Sequence, residues 1–496
     1  QADQERMVRG PAARAAFDEA GAPTKAAQGF ARAQGVEVGA LQKRTIEGKE
    51  YVVAVVVEAG REAAHVLAEL LPGLVGSISF DKSMRWNGSG VSFSRPLRWY
   101  VALLGDQIVP FEYAGVRSGR TSRGIRPANS PDVVIASAAA YVQAMEGAGI
   151  MLDVAARQAA IKEQAVALAA EVGGIVPDDA DLLREVANLV EYPLAIRGAF
   201  EPAYLRLPDE VLLAVMRKHQ RYLPVLKEGK LLPYFIAIAN GKDLNVPTVR
   251  YGNEEVLRAR YADATFFYNE DIKQPLAAYT AKLDTLTFQE RLGSMLDKVR
   301  RIERLTPELG DMLGLSGADQ AVAARAAALC KSDLGTQLVV ELTSLQGQMG
   351  RHYAQLAGEP LEVAQAIEQH YWPRHMGDKL PSSAPAVAIG LADRIDTLVG
   401  LFSVGVRPSG AADPWGLRRS ALSLIQLLLG KEISLALPEA FSLAAEAMPV
   451  AVSEEALRET LDYVQKRYRG YLLDNGYRYD LVDAVLAERG YDPYLA

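Results

Sequence analysis

Three aspartates and two histidines in the second half of the chain are residue types that hold divalent metals: Asp333, Asp393, Asp396, His370 and His375. Asp393 and Asp396 lie three residues apart, a spacing that brings both carboxylates onto one face of a helix. Joined by a His-Asp dipeptide and a histidine one helix upstream, they would complete the ligand set of a metal-dependent phosphohydrolase, because such a metal takes neutral imidazoles beside carboxylates. Here the dipeptide position reads Ser332-Asp333, and no histidine stands between His219 and His352. The ligand set is broken. Metal-assisted hydrolysis is therefore the weaker reading, and a solvated or salt-bridged helix face the stronger.

A second kind of chemistry is written in arginine. Lys82, Arg85, Arg95, Arg98, Arg117, Arg120, Arg123 and Arg126 crowd a stretch whose acids are Asp81, Asp106 and Glu112. Two Arg-Trp pairs, Arg85-Trp86 and Arg98-Trp99, offer a guanidinium fork and an aromatic face, the parts that neutralise and stack on RNA. The competing reading makes both tryptophans core residues with the arginines turned outward. Ser118–Pro127 contains almost no large apolar side chain and reads as a loop with a basic tip, the best phosphate-contact candidate of its section. A third constellation runs from Gly405 to Arg419. A Pro-Ser-Gly turn at 408–410 leads to Asp413 as N-cap and Pro414 at the first helical position, with Arg418 and Arg419 one turn in. A helix start flanked by arginines suits a phosphate, and the same turn serves equally to fold one helix onto another.

The elements that must position these residues follow from patterning. Residues 11–35 are Ala-rich with helical spacing, interrupted at Gly21-Ala22-Pro23, and Tyr51–Val57 is a β-branched run that reads as a buried strand. Leu97–Leu104 and Gln107–Tyr113 read as a hairpin turning at Gly105-Asp106. Helices are expected at Asp132–Ala148, Leu152–Val172, Leu182–Val190 and Pro208–His219, a strand at Pro193–Ile196, and a hairpin around Glu228-Gly229. From about residue 281 the pattern is helical. Leu334, Leu338, Leu342, Leu345, Met349 and Tyr353 form an apolar stripe. Further helices are expected at 387–404 and 415–429, with two or three more to the end.

Bulk properties narrow the class. A chain of 496 residues with 49% hydrophobic and 23% charged side chains is globular and should divide into three or four domains. A net charge of −7 argues against non-specific coating of nucleic acid, although a local basic stripe matters more than the total. The one cysteine, Cys330, excludes a disulfide framework and a cysteine-based zinc site and fits a reducing, cytoplasmic setting. No apolar run approaches the roughly 20 residues that span a bilayer, so no membrane role is expected. No phosphate loop, dinucleotide fingerprint or nucleophile–base pair is legible. The Gln1 start, without an initiator Met, leads us to expect that the sequence begins inside a longer chain.

Taken in order, several blocks resemble the beta subunit of bacterial glycyl-tRNA synthetase. They are Lys82–Trp86, Arg95–Trp99, Thr121–Gly124, Glu185–Pro193, Gly252–Arg260, Ala262–Phe267, Leu292–Lys298, Leu345–Gly350, Leu391–Leu398 and the Asp-Pro to Leu-Arg-Arg turn at 413–419. Each is weak alone, and their collinearity over most of the chain carries the likeness. The resemblance implies a multidomain α+β protein: residues 1–128 an N-terminal α+β domain with the basic loop, 129–280 an editing-like α+β domain, 281–430 a degenerate HD-type helical domain, and 431–496 a helical segment leading to an anticodon-binding domain absent after Ala496. It also implies a catalytic alpha subunit as partner, in an α2β2 assembly or fused. That subunit would use ATP and Mg to activate glycine, while this chain holds no cofactor or metal and grips the glycine tRNA. Arg85, Arg98, Arg117, Arg120, Arg123, Arg126, Arg418 and Arg419 become candidate RNA contacts, and Asp333, Asp393 and Asp396 the degenerate HD-type positions. The alternatives are an HD-type metal-dependent phosphohydrolase and a general RNA-binding scaffold.

Overall fold

The computed structural model describes residues 4–18, 20–46, 48–58, 60–241, 244–408 and 413–496. The chain is mixed α/β with small sheets, and it divides into two compact units: residues 1–161 with 183–194 and 239–244, and residues 162–182 with 195–238 and 245–496. Among the described residues no helix is long and apolar enough to cross a membrane.

The first unit opens with strand β1 (Gln4–Ala12), short helix α1 (Ala13–Ala16), α2 (Lys25–Ala33), β2 (Gln42–Ile46) and β3 (Lys49–Glu58). The expected β-branched strand is β3, and it takes the central place of an antiparallel sheet ordered β1-β3-β2. Val52, Val53 and Ala54 are buried there, while Val57 at the far end is exposed. Ala13, Ala16, Ala27 and Val52 make a small core with Phe17, Phe30 and Leu41 packed against it. The helical expectation for 11–35 therefore holds for α1 and α2. Helix α3 (Ala63–Ser77) follows, apolar in composition yet without a buried residue.

Short strands fill the next stretch: β4 (Tyr100–Val101), β5 (Leu103–Leu104), β6 (Gln107–Ile108), β7 (Glu112–Tyr113), β8 (Val116–Gly119), β9 (Thr121–Arg123) and β10 (Asp132–Val134). The hairpin at Gly105-Asp106 is present, with Leu103 opposite Ile108. Two expectations fail here. Ser118–Pro127 is not a loop: β8 pairs with β4 and β7, and β9 pairs antiparallel with β10. Asp132–Ala148 is not one helix, since Asp132–Val134 is spent on that pairing and the helix α4 begins only at Tyr141 and ends at Gly147. The β-branched pair Val133-Val134 favours the ladder over a helix. Helices α5 (Val154–Ala170) and α6 (Ala180–Leu189) stand where expected.

In the second unit β11 (Pro193–Ala199), β12 (Leu223–Lys227) and β13 (Lys230–Asn240) form a sheet ordered β11-β13-β12. The β12–β13 turn is Glu228-Gly229 with φ of 52° and 79°, left-handed at both positions as a two-residue hairpin requires. Helix α7 (Asp209–Ala214) runs straight into a π-helical turn at Val215–Gln220. The long helix α8 (Val246–Asp271) precedes a bundle of α9 (Met295–Met312), α10 (Gly317–Leu329), α11 (Gln337–Glu341), α12 (Gln348–Leu356), α13 (Leu361–Gln369), α14 (Ala384–Ser403), α15 (Leu417–Gly430), α16 (Leu437–Ala447), α17 (Glu454–Asp474) and α18 (Tyr479–Arg489).

Helix α14 is the axis of this bundle, packed by α9, α10, α13, α15, α16 and α17. Apart from a short charged patch at Asp393, Arg394 and Asp396 its residues are mostly apolar, and nearly all are buried, the pattern of a core helix rather than a surface one. The stripe from Leu338 to Tyr353 is buried and Leu334 partly so, but α11, α12 and two 3-10 turns replace the single helix its spacing suggests. The break is stabilised from a distance. The buried Asp271 carboxylate accepts from the backbone N–H groups of Gln337 and Leu338 at 2.8 and 2.9 Å and from the Tyr353 hydroxyl at 3.1 Å.

Candidate functional site

Because α14 is surrounded by protein, any charge it carries must find a partner inside the core. Asp393 and Asp396 do emerge on one face, and α9 meets that face with Lys298 and Arg301. Lys298 Nζ donates to Asp396 Oδ2 at 2.8 Å and to Thr397 Oγ1 at 2.8 Å, and lies 3.0 Å from Asp393 Oδ1. Arg301 Nε donates to Asp396 Oδ1 at 2.6 Å. Lys331 Nζ donates to Asp393 Oδ2 at 2.7 Å and to His370 Nε2 at 2.9 Å. His370 Nδ1 donates to the Ile367 carbonyl at 2.7 Å, so its Nε2 is bare and accepts from the ammonium. Burial, and then Lys331, hold the imidazole well below its ordinary pKa. Burial would raise Asp393, but Lys331 and Lys298 outweigh it and keep the carboxyl well below the usual range. Burial likewise opposes the charge on Lys298, and Asp396 with Asp393 outweighs it and raises that pKa.

The face is thus salt-bridged and buried rather than solvated. It also does not suit a metal. The carboxylate oxygens that would ligate one are already taken by two ammonium groups and a guanidinium, and among the described residues no group of three or more His, Cys, Asp or Glu side chains is arranged around a common point. Asp333, fully buried, turns away from this network. Its Oδ2 accepts from the backbone of Gly347 at 2.6 Å and Gly350 at 3.1 Å, while Oδ1 has no partner among the described residues. Burial pushes its carboxyl up to about 6. His375 is exposed, and its ring meets the Met376 carbonyl at 3.0 Å. The structure therefore gathers Asp393, Asp396 and His370, and leaves Asp333 and His375 outside. A search for carboxylates and imidazoles does not find Lys298, Arg301 or Lys331. The legible signal for the first two is that they interrupt the apolar stripe Ile302, Leu305, Leu309 of a helix opened by a Ser294–Asp297 capping box.

In the first unit the two Arg-Trp blocks are joined by a β-bridge between Met84 and Phe93, with the Phe80 and Phe93 rings edge to face at 4.6 Å. Neither tryptophan is a core residue: Trp86 is half-buried and Trp99 is 41% exposed, with Arg98 5.8 Å above its ring. Lys82, Arg85, Arg98 and Arg126 are exposed, and among the described residues none of them forms an ion pair. The remaining candidates are partly neutralised. Arg117 pairs with Glu112 at 2.9 Å, Arg123 with Asp132, and Arg120 donates to the Asp106 and Ala136 carbonyls at 2.7 and 3.3 Å. Exposed cations without an ion pair among the described residues, and the exposed ring of Trp99, therefore stand on this unit of an acidic chain.

The third constellation is corrected in detail. Ser409 and Gly410 of the expected turn lie outside the described residues. Helix α15 starts at Leu417, not Pro414, and Gly416 with φ of 66° is its N-cap. Asp413 still caps it, at a distance: its carboxylate accepts from the Leu417 and Arg418 N–H groups at 2.9 and 2.8 Å. The helix start is already satisfied by an anion of the chain itself. Arg418 is half-buried and Arg419 exposed.

Comparison with known proteins bears on the whole chain. The family model described as glycyl-tRNA synthetase beta subunit matches residues 1–487. The chain is 44% identical to a glycine–tRNA ligase beta subunit of Desulforamulus reducens, covering 99% of this chain and 72% of that protein. It is 43% identical to the corresponding beta subunit of Syntrophomonas wolfei over 98% of this chain and 71% of that protein. A protein of Arabidopsis thaliana named glycine–tRNA ligase, chloroplastic/mitochondrial 2, is 43% identical over the full chain, which spans 46% of its length. The chain belongs to the glycyl-tRNA synthetase beta-subunit family.

Proposed function

We propose that the chain serves glycine–tRNA ligase as the component that grips the glycine tRNA, while a catalytic alpha-type chain, separate or fused, uses ATP and Mg to activate glycine. As a member of its family the chain is a beta-type part of that ligase. The observation that carries the RNA-holding role is the set of exposed cations on the first unit, Arg85, Arg98 and Arg126, with Arg98 over the exposed Trp99 ring, in a protein whose net charge is −7. Such a set binds phosphates through charge and bases through stacking. Arg117, Arg120 and Arg123 flank it as further contacts once their carboxylates or carbonyls yield, and Arg418 and Arg419 form a second group in the helical unit.

The same reading takes residues 129–280 as an editing-like module, 281–430 as a degenerate HD-type domain and 431–496 as a helical lead into an anticodon-binding domain. The Lys298–Asp396 and Lys331–Asp393 pairs support degeneracy, since ammonium groups sit against the carboxylates that a metal would need. A cytoplasmic setting agrees with the single cysteine, Cys330, which is buried. Mixing this chain with a separately expressed alpha-type chain tests the role. Glycylation should require both, with no adenylation of glycine by this chain alone. Adenylation by this chain alone, or full charging by the partner alone, would overturn it.

A further inference from the structure

The helical unit contains a cavity of about 290 Å³ whose wall joins the edge of the buried ion network at Asp393 to Arg419. Its walls come from four places: Gln346 before α12, Tyr371 to Arg374 after α13, Asp393 and Arg394 on α14, and Arg419 with Ser420 and Ser423 on α15. Three guanidinium groups line it against one carboxylate. Asp393 is already committed to Lys298 and Lys331, so the wall carries a net positive charge. Arg394 is buried and spends its N–H groups on backbone carbonyls, those of His370, Gly390, Tyr371, Trp372 and Pro373. It supplies charge and rigidity rather than a free donor. Burial lowers its pKa to about 10, which leaves it cationic at neutral pH.

Free donors are present as well. Among the described residues Arg419 has no hydrogen-bond or ion-pair partner, and Gly416 makes room for it, because a Cβ there would fall 2.9 Å from its Nη2. The Tyr371 hydroxyl is buried and, among the described residues, has no partner. Arg374 donates to the Gln346 carbonyl at 2.7 Å and, more weakly, to the Ser344 carbonyl at 3.5 Å, so it adds charge more than a free donor. The nearby Asp378 carboxylate is turned onto the backbone N–H groups of Arg374 and Lys379, each at 2.8 Å. Further positive charge stands beside it: Lys218, in the π-helical turn, has its pKa lowered first by burial and then by Arg374 and Arg217. Cations gathered at one mouth without matching carboxylates repel one another, and a doubly charged anion relieves that repulsion.

We propose that this cavity binds a phosphoryl group, with Arg419 and the Tyr371 hydroxyl as its direct donors and Arg374 and Arg394 as the fixed positive field. Its volume is at the small end for ligand sites, so it takes a phosphate and part of its ester rather than a dinucleotide. The phosphate is borne either by a free mononucleotide or by an RNA backbone. The site does not depend on the basic face of the first unit, so either assignment stands if the other falls.

Titration calorimetry of the full chain with inorganic phosphate and with AMP, at constant ionic strength, tests it. Saturable binding is expected. Arg419→Ala should weaken it by about tenfold or more, and Tyr371→Phe by about threefold to tenfold, the range for losing a charged and a neutral hydrogen bond. Arg419 is exposed and the Tyr371 hydroxyl is unpartnered, so both variants should keep the parental circular dichroism. Adding glycine tRNA separates the sources: displacement of AMP by the tRNA assigns an RNA phosphate, and undiminished AMP binding assigns a free nucleotide. Absence of saturable phosphate and AMP binding, or parental affinity in both variants, would overturn the site. The tRNA face is judged separately, by Arg85→Ala, Arg98→Ala and Arg126→Ala.

Discussion

Replacing Asp396 by Asn removes one charge and little volume, and it should destabilise the helical unit far more than an ordinary isosteric change. Asp396 is 1% exposed and meets Lys298, 4% exposed, and Arg301, 7% exposed. Its two oxygens are the only carboxylate contacts of Arg301 among the described residues. After the substitution Lys298 retains Asp393, whereas Arg301 is left as a buried cation with the Leu292 carbonyl and a neutral amide. Breaking a buried pair on one side typically costs about 3–5 kcal/mol. At about 2–4 °C per kcal/mol for a unit of 150–250 residues, that is a fall in Tm of roughly 6–20 °C. The unit here is larger, so the lower half of that range is expected. Thermal unfolding followed by circular dichroism reads it, with the two units treated as separate transitions. A companion variant, Lys298→Met with Arg301→Met and Asp396→Leu, removes all three charges together and should recover much of the loss, because apolar packing commonly replaces buried ions without penalty. A Tm for Asp396→Asn within about 1 °C of the parent would refute the network as described, as would a triple variant less stable than the single one.

Three other outcomes are expected. Asp333 is raised to about 6 in the folded chain, so between pH of about 4 and 6 the folded state binds the extra proton and this residue's contribution falls as pH rises. His370, held low, contributes in the opposite sense over an overlapping window. Asp333→Asn should therefore reveal a steeper gain of stability with pH, by up to about 2–3 kcal/mol across that interval, and parallel pH profiles would contradict it. Asp413→Ala strips the cap from Leu417 and Arg418 and should cost about 0.5–2 kcal/mol in urea unfolding, where an unchanged midpoint would remove its capping role. Glu112→Gln frees Arg117 and should tighten tRNA binding at low salt by about twofold to fivefold, whereas weaker binding would count against Arg117 as a contact.

What the sequence disclosed and what it hid have separate physical causes. Helix α14 was legible because a long apolar run has few ways to be buried, and the hairpins because Gly105-Asp106 and Glu228-Gly229 encode local turns. The pairing of β9 with β10 was hidden, since Thr121–Arg123 is polar and its partner Asp132–Val134 opens a stretch whose spacing suits a helix. The interruption between Leu334 and Tyr353 was hidden for a related reason: the carboxylates that cap it, Asp271 and Asp333, act through tertiary contact. At the site, the spacing of Asp393 and Asp396 correctly placed both on one face. Their partners stayed out of view because lysine in a core has no sequence mark of its own beyond breaking an apolar stripe.

The central claim, that this chain grips tRNA through the basic face of its first unit, is tested most directly by the salt dependence of its affinity for glycine tRNA. The chain and its Arg85→Ala/Arg98→Ala/Arg126→Ala variant should be titrated by fluorescence anisotropy over a series of salt concentrations. The parent should bind with an affinity that falls steeply with salt. The triple variant should bind more weakly, with a log–log slope shallower by about two to three, close to one for each phosphate that is no longer neutralised. Equal affinities and equal slopes, or no binding by the parent at low ionic strength, would contradict it.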